Sequence, residues 1–175
     1  MSETQTYRHR INEWWSTARQ NKLFWRGLLG AAVVIIIDQA SKLWIVHGLG
    51  LPEIGRIEIS GIFDLTYVEN RGASFGMLSG MRWLLSVISV GVALALAVWL
   101  GRLNRPIAAI GVSFIIGGAL GNLYDRLAYG YVVDFLDFSG LAFPWVFNVA
   151  DTAINVGIAF LLLDAWNTRD HDETA

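Results

Sequence analysis

The sequence predicts an all-α membrane protein: four transmembrane helices with a small extracytoplasmic β-sheet between helices 1 and 2, in one domain over residues 1–175. Three observations predict it. Hydrophobic residues make up 54% of the 175 and charged residues only 16%, where a soluble domain has about 25% charged. The apolar residues fall into four runs of the roughly 20 residues that a bilayer-crossing helix requires. A stretch of different periodicity, about 50–80, separates the first run from the second. The same composition argues against a disordered chain, and a net charge of −2 removes the basic surface a nucleic-acid binder needs. With no cysteine, disulfide scaffolds, thiol nucleophiles and thiolate metal sites are excluded. His9, His47 and His171 are too far apart in sequence to suggest a zinc site.

The spans are read at about 23–46, 83–101, 106–125 and 148–166. The second and third are uncharged throughout, between Arg82 and Arg102 and between Arg105 and Asp125. The first carries Asp38 and Lys42 in its far half, and the fourth has Asp151 near its start. The first run follows a polar lead of some twenty residues and is too long for a signal-peptide core, so it is read as a retained helix. Arg8, Arg10, Arg19, Lys22 and Arg26 before the first span, Arg102 and Arg105 in the short second loop, and Arg169 after the last span put both termini on the cytoplasmic side. Arg56, Arg71 and Arg82 lie in the long outer loop. Trp25, Trp99 and Trp166 then mark inner ends, and Trp44, Trp83 and Trp145 outer ends, as amphipathic rings do at headgroups.

In the outer segment, Ile57 and Ile59 alternate with Glu58 and Ser60, and Leu65 and Tyr67 with Thr66 and Val68. This is the period of two short strands around Gly61. Gly72, Gly76 and Gly80 then break the pattern. The last residues, RDHDETA, read as a solvated tail.

Charge inside hydrocarbon is costly, so each polar residue of a span demands a reason. Asp38 and Lys42 share one helix face. Asn122, Asp125 and Arg126 cluster near the outer end of span three, and Asn148, Asp151 and Asn155 near the outer start of span four. Asp134 and Asp137 lie in the connecting loop. All of these gather toward one leaflet, which points to a site opening outward rather than a transport path. Gly117 and Gly121 have the spacing that lets helix backbones approach. Asp38 has Lys42 for a partner and Asp125 has Arg126 and Asn122, so these read as structural; Asp64 and Asp137 suit solvated or turn roles. Asp134 and Asp151 remain, with apolar neighbours and no cation nearby in sequence. Brought together, they would share a proton, one acting as base on water and the other as acid. On pattern alone Asp151 equally fits an ordinary first-turn carboxylate beside the helix dipole. Ser41 and Lys42 diverge on a helix, and Ser74 reaches Lys42 only through loop folding. A Ser/Lys peptidase and a cation- or proton-coupled carrier remain as alternatives.

The segments DQASK (38–42), ENRGASFG (69–76), GGALGNLYDR (117–126), VVDF (132–135) and FNVAD (147–151), in this order, closely resemble the lipoprotein signal peptidase (signal peptidase II) family. The resemblance covers about residues 25–166. It implies an aspartic endopeptidase of the bacterial cytoplasmic (inner) membrane, with its active site toward the outer leaflet. Such an enzyme removes the signal peptide of prolipoproteins, cutting on the N-terminal side of the diacylglyceryl-modified cysteine, and uses no metal or cofactor. By position, Asp134 and Asp151 would be the catalytic pair. Asn70, Gly72, Asn122, Arg126 and Asn148 would line or brace the site, and Asp38, Lys42 and Asp125 would be structural. The partners implied are the lipid-modified substrate and membrane lipids, with the enzyme a monomer. The polar lead 1–22 is longer than the resemblance leads one to expect, and no role is assigned to it.

Overall fold

The computed structural model describes residues 3–72 and 81–172, with side chains from residue 5 to residue 168. Four helices in it are long and apolar enough to cross a membrane, within two or three residues of the expected bounds: Lys22–Gly48, Arg82–Leu100, Pro106–Ala128 and Val149–Thr168. They belong to α2 (Lys22–Leu43, continued by a π-helical turn Trp44–Gly48), α4 (Arg82–Leu100), α5 (Pro106–Ala128) and α6 (Val149–Asp172). Two further helices were not expected: α1 (Glu3–Ala18), made from the polar lead, and the single turn α3 (Leu51–Ile54). The expected glycine breaks at 76 and 80 lie outside the described residues, as do the side chains of the 169–175 tail.

Helix α5 is the centre of the bundle. In its most apolar stretch 67% of the residues are buried, against 22–28% in the other three spans, because lipid offers helices no hydrophobic drive to associate and small residues that allow close contact decide the packing. A β-carbon at Gly117 would sit 2.6 Å from Val34 Cβ on α2, one at Gly121 would sit 2.7 Å from Asp38 Oδ2, and one at Gly118 would collide with the Ala150 carbonyl of α6. The two-sided stripe thus clamps α2 on one side and α6 on the other. At the other end of the bundle Phe24, Leu100, Leu103 and Val112 form an apolar core. There the Arg105–Asp164 ion pair, at 2.9 Å, ties the start of α5 to α6. Trp25, Trp44, Trp83, Trp99, Trp145 and Trp166 are all exposed at helix ends or beside them, as the belt assignment requires.

The expected sheet is present and is larger than its two expected strands. β1 (Arg56–Glu58) and β2 (Asp64–Asn70) come from the first outer segment; β3 (Val132–Asp137) and β4 (Val146–Phe147) come from the link between α5 and α6. All pairs are antiparallel in the order β1-β2-β3-β4. Asp134 and Asp137, read as loop residues, therefore lie on a strand, and Asp64 begins another. An odd spacing of three turns Asp134 and Asp137 to opposite faces. Asp137 is buried, and although burial raises its carboxyl, the Thr66 hydroxyl (2.6 Å), the Ser139 N–H (2.9 Å) and the charge of Arg56 hold it below the usual carboxylate range. Asp64 is also buried and pairs with Arg56. Neither is solvated: Asp137 takes the turn role through the Ser139 N–H, and the two face each other at one end of the central strand pair.

Candidate active site

Two aspartate clusters stand side by side at the end of the bundle that carries the sheet. The first is built on the i, i+4 spacing of α2. Lys42 Nζ lies 2.8 Å from Asp38 Oδ2, 2.9 Å from Asp125 Oδ2 and 3.0 Å from Asn122 Oδ1, which uses all three ammonium protons. Asp38 Oδ1 accepts the N–H of Ala150 at 2.9 Å, in the first turn of α6. Asp125 Oδ2 accepts the N–H of Val133 at 3.2 Å, on β3. Gln39 donates to Asp38 Oδ2 (3.1 Å), the Gly121 carbonyl (3.2 Å) and Asp125 Oδ1 (2.9 Å). This cluster joins α2, α5, α6 and β3, and every carboxylate oxygen in it has a donor. Asp38, Lys42 and Asp125 thus lie in one hydrogen-bonded cluster that ties three helices to the sheet.

The partner of Asp125 differs from the expected one. Arg126 does not pair with it; its guanidinium donates instead to the carbonyls of Gly72 (3.2 Å) and Asn122 (3.4 Å). Residues adjacent on a helix diverge by about 100°, so Asp125 faces Lys42 while Arg126 faces the outer loop. Gln39 went unnoticed in the sequence. Its signal was there: an amide in an apolar span, beside Asp38.

The second cluster contains Asp134 and Asp151. Asn148 joins them. It stands immediately before α6 and accepts the Asp151 N–H at 2.9 Å through Oδ1, the arrangement of a helix N-cap bonding its third residue. Its Nδ2 donates to Asp134 Oδ1 at 2.6 Å and to Asn122 Oδ1 at 3.2 Å. Asn122 in turn donates to Asp151 Oδ1 at 2.8 Å. Asn70 Nδ2 donates to the other oxygen of Asp134 at 2.9 Å, and Asn70 Oδ1 accepts the Gly72 N–H at 3.0 Å. The register explains Asn70: a bulge between Leu65 and Val68 sets Val68 opposite Asp134, so Asn70, two residues on, lies diagonally across on the same face. The structure thus brings Asp134, Asp151, Asn70, Asn122 and Asn148 together, with Gly72 and Arg126 at the margin. Ser74, the nucleophile of the Ser/Lys alternative, lies outside the described residues.

The two carboxyls are unequal. Asp134 is 1% exposed and Asp151 is partly exposed. Among the described residues no Lys or Arg hydrogen bonds to either, and no side chain donates to Asp151 Oδ2. Burial, and then the negative charge of Asp151, push the Asp134 carboxyl up to about 7, against the amides of Asn70 and Asn148 that favour its ionised form. One acid that holds its proton near neutrality beside another that meets water is the pairing needed to activate a water and protonate what it attacks.

Four apolar helices capped at one end by a small sheet, with one aspartate of the pair on the sheet and the other on α6, define a membrane enzyme. Two solved structures, each described as a bacterial membrane enzyme, have the same fold. One is 27% identical with a TM-score of 0.75, over 83% of this chain and 90% of that one. The other is 30% identical with a TM-score of 0.69, over 80% and 92%. The sequence narrows the class further. Residues 30–167 match the family model of signal peptidase (SPase) II. Lipoprotein signal peptidase of Caulobacter vibrioides is 48% identical over 84% of this chain and 90% of its own length. That of Nostoc punctiforme is 44% identical over 82% and 89%. The chain belongs to the signal peptidase II family, and it is a peptidase.

Proposed function

We propose that this chain is an aspartic endopeptidase that removes the signal peptide from bacterial prolipoproteins, with Asp134 and Asp151 as its catalytic residues. The observation that carries the reading is the pairing through Asn148 of one buried and one partly exposed aspartate to which, among the described residues, no Lys or Arg hydrogen bonds. In the ground state Asp134 holds the proton and Asp151 is ionised. Asp151 takes a proton from a water between the two groups as that water's oxygen bonds to the scissile carbonyl carbon. Asp134 gives its proton to the carbonyl oxygen. In the second step Asp151 returns its proton to the amide nitrogen, the C–N bond breaks, and Asp134 recovers the hydroxyl proton as the carbonyl re-forms. Water is the only co-reactant.

Position supports the substrate class. Both aspartates lie at the sheet-bearing end of the spans, and the loop cations support the reading that this end faces the outer leaflet of the inner membrane, with both termini in the cytoplasm. A signal peptide is itself a membrane helix, and an acylated cysteine holds its cleavage point at that same leaflet. The test uses the purified protein in micelles and a synthetic prolipoprotein segment, with and without diacylglyceryl on its cysteine. The mass of the lipidated product should correspond to a new N-terminus at that cysteine. Cleavage elsewhere, or equal cleavage of the unlipidated peptide, would contradict the substrate reading.

A further inference from the structure

Helix α1 lies outside the matched family region and far in the fold from the aspartate pair, yet it is firmly attached. Trp14 Nε1 donates to the Val98 carbonyl at 3.0 Å, near the end of α4. Ala18 is fully buried against the turn after α4, where a β-carbon on Gly101 would come within 2.9 Å of it. Asn21 donates to the Leu103 carbonyl at 2.8 Å and accepts the Leu23 N–H at 2.9 Å, joining the turn after α1 to the start of α2. The rest of the helix keeps an apolar face largely exposed. Tyr7, Ile11 and Trp15, at i, i+4 and i+8, are 62, 64 and 46% exposed.

Two observations say what covers that face. Trp15 meets Trp25 edge-on at 6.5 Å, and Trp25 is exposed on the outer surface of the first span. The stripe therefore continues the lipid-facing surface of the spans. At about 100° per residue, Arg8 and Arg10 flank the stripe on either side, whereas the His9–Glu13 pair, 3.3 Å apart and exposed, lies opposite it. Residues 1–26 hold five Lys and Arg against two Glu. Arginine flanking an apolar stripe can keep its stem in the acyl boundary and its head among phosphates. We infer that α1 is an interfacial anchor: it lies in the headgroup layer of the leaflet opposite the aspartate pair, with the Tyr7–Ile11–Trp15 stripe among acyl chains and its arginines on anionic phospholipid.

The absence of cysteine makes the test direct. The full chain carrying Ile11→Cys or His9→Cys is nitroxide-labelled and placed in phosphatidylcholine vesicles with or without phosphatidylglycerol. Relaxation by oxygen reports lipid and relaxation by a nickel chelate reports water; unfolding temperature confirms that each labelled protein is intact. The oxygen-to-nickel ratio should be severalfold higher at position 11 than at position 9, and the gap should widen with phosphatidylglycerol. Adding Arg8→Gln and Arg10→Gln should remove that widening. Equal ratios at 11 and 9 in the anionic vesicles would overturn the inference, as would dipolar broadening at 11 from a second copy. A lipid dependence unchanged by the arginine substitutions would overturn the anionic contact.

Discussion

The two aspartate clusters share Asn122 and differ in one respect that separates structure from chemistry. Around Asp38 and Asp125 a buried ammonium answers the charge, and all four carboxylate oxygens accept a hydrogen bond. Around Asp134 and Asp151 the donors are neutral amides and a backbone N–H. Amides fix carboxyl groups in place without committing them to the ionised state. A lysine in their place would hold both as anions, leaving no acid to protonate a carbonyl. The bundle thus bonds its lysine within the bracing cluster, while the cation at the margin of the reactive one, Arg126, bonds backbone carbonyls rather than either carboxyl.

Removing the cation should break the first cluster. Lys42→Met leaves two buried carboxylates without a cation, a change that costs about 3–5 kcal/mol when one member of a buried ion pair is lost. Thermal unfolding in detergent should show this as the largest stability loss of the set. Gly121→Ala acts on the same cluster by volume, since its β-carbon would press on Asp38. Overpacking of this kind costs about 1–3 kcal/mol, read in the same assay. The second cluster is sharpened by pH. Asp134 is neutral below about 7 and ionised above it, and the mechanism needs it neutral, so kcat/KM should fall as pH rises through that value. Asn70 favours the ionised form; Asn70→Ala should therefore move the falling limb to higher pH. A limb that stays in place or moves down would remove Asp134 as the proton donor.

Much of this was legible in the sequence because it is local. Span lengths follow from apolar runs, the Asp38–Lys42 pair from i, i+4 spacing, and β1 and β2 from alternation. What escaped was decided across the chain. β4 has two residues, too few for any period, and β3 is buried along most of its length, so no alternation marks it. That Lys42 rather than Arg126 answers Asp125 depends on how closely α2 packs on α5, which the glycines permit but do not announce. The polar lead hid α1, whose stripe is short and broken by arginines. For the candidate site, elimination among carboxylates singled out Asp134 and Asp151, but not Asn148 as their link; the N-cap position of Asn148 was readable, its reach to β3 was not.

The most direct measurement compares Asp→Asn at all four positions, reading peptidase activity and unfolding temperature on the same preparations. Asp134→Asn and Asp151→Asn should each lose activity by about 10²–10⁴-fold, the range for positioned acid–base groups, while unfolding near the wild-type temperature. Asp38→Asn and Asp125→Asn should unfold at clearly lower temperature. Wild-type turnover by either of the first two variants, or a fully stable but inactive Asp38→Asn or Asp125→Asn protein, would contradict the division of the four aspartates into a braced pair and a reacting pair.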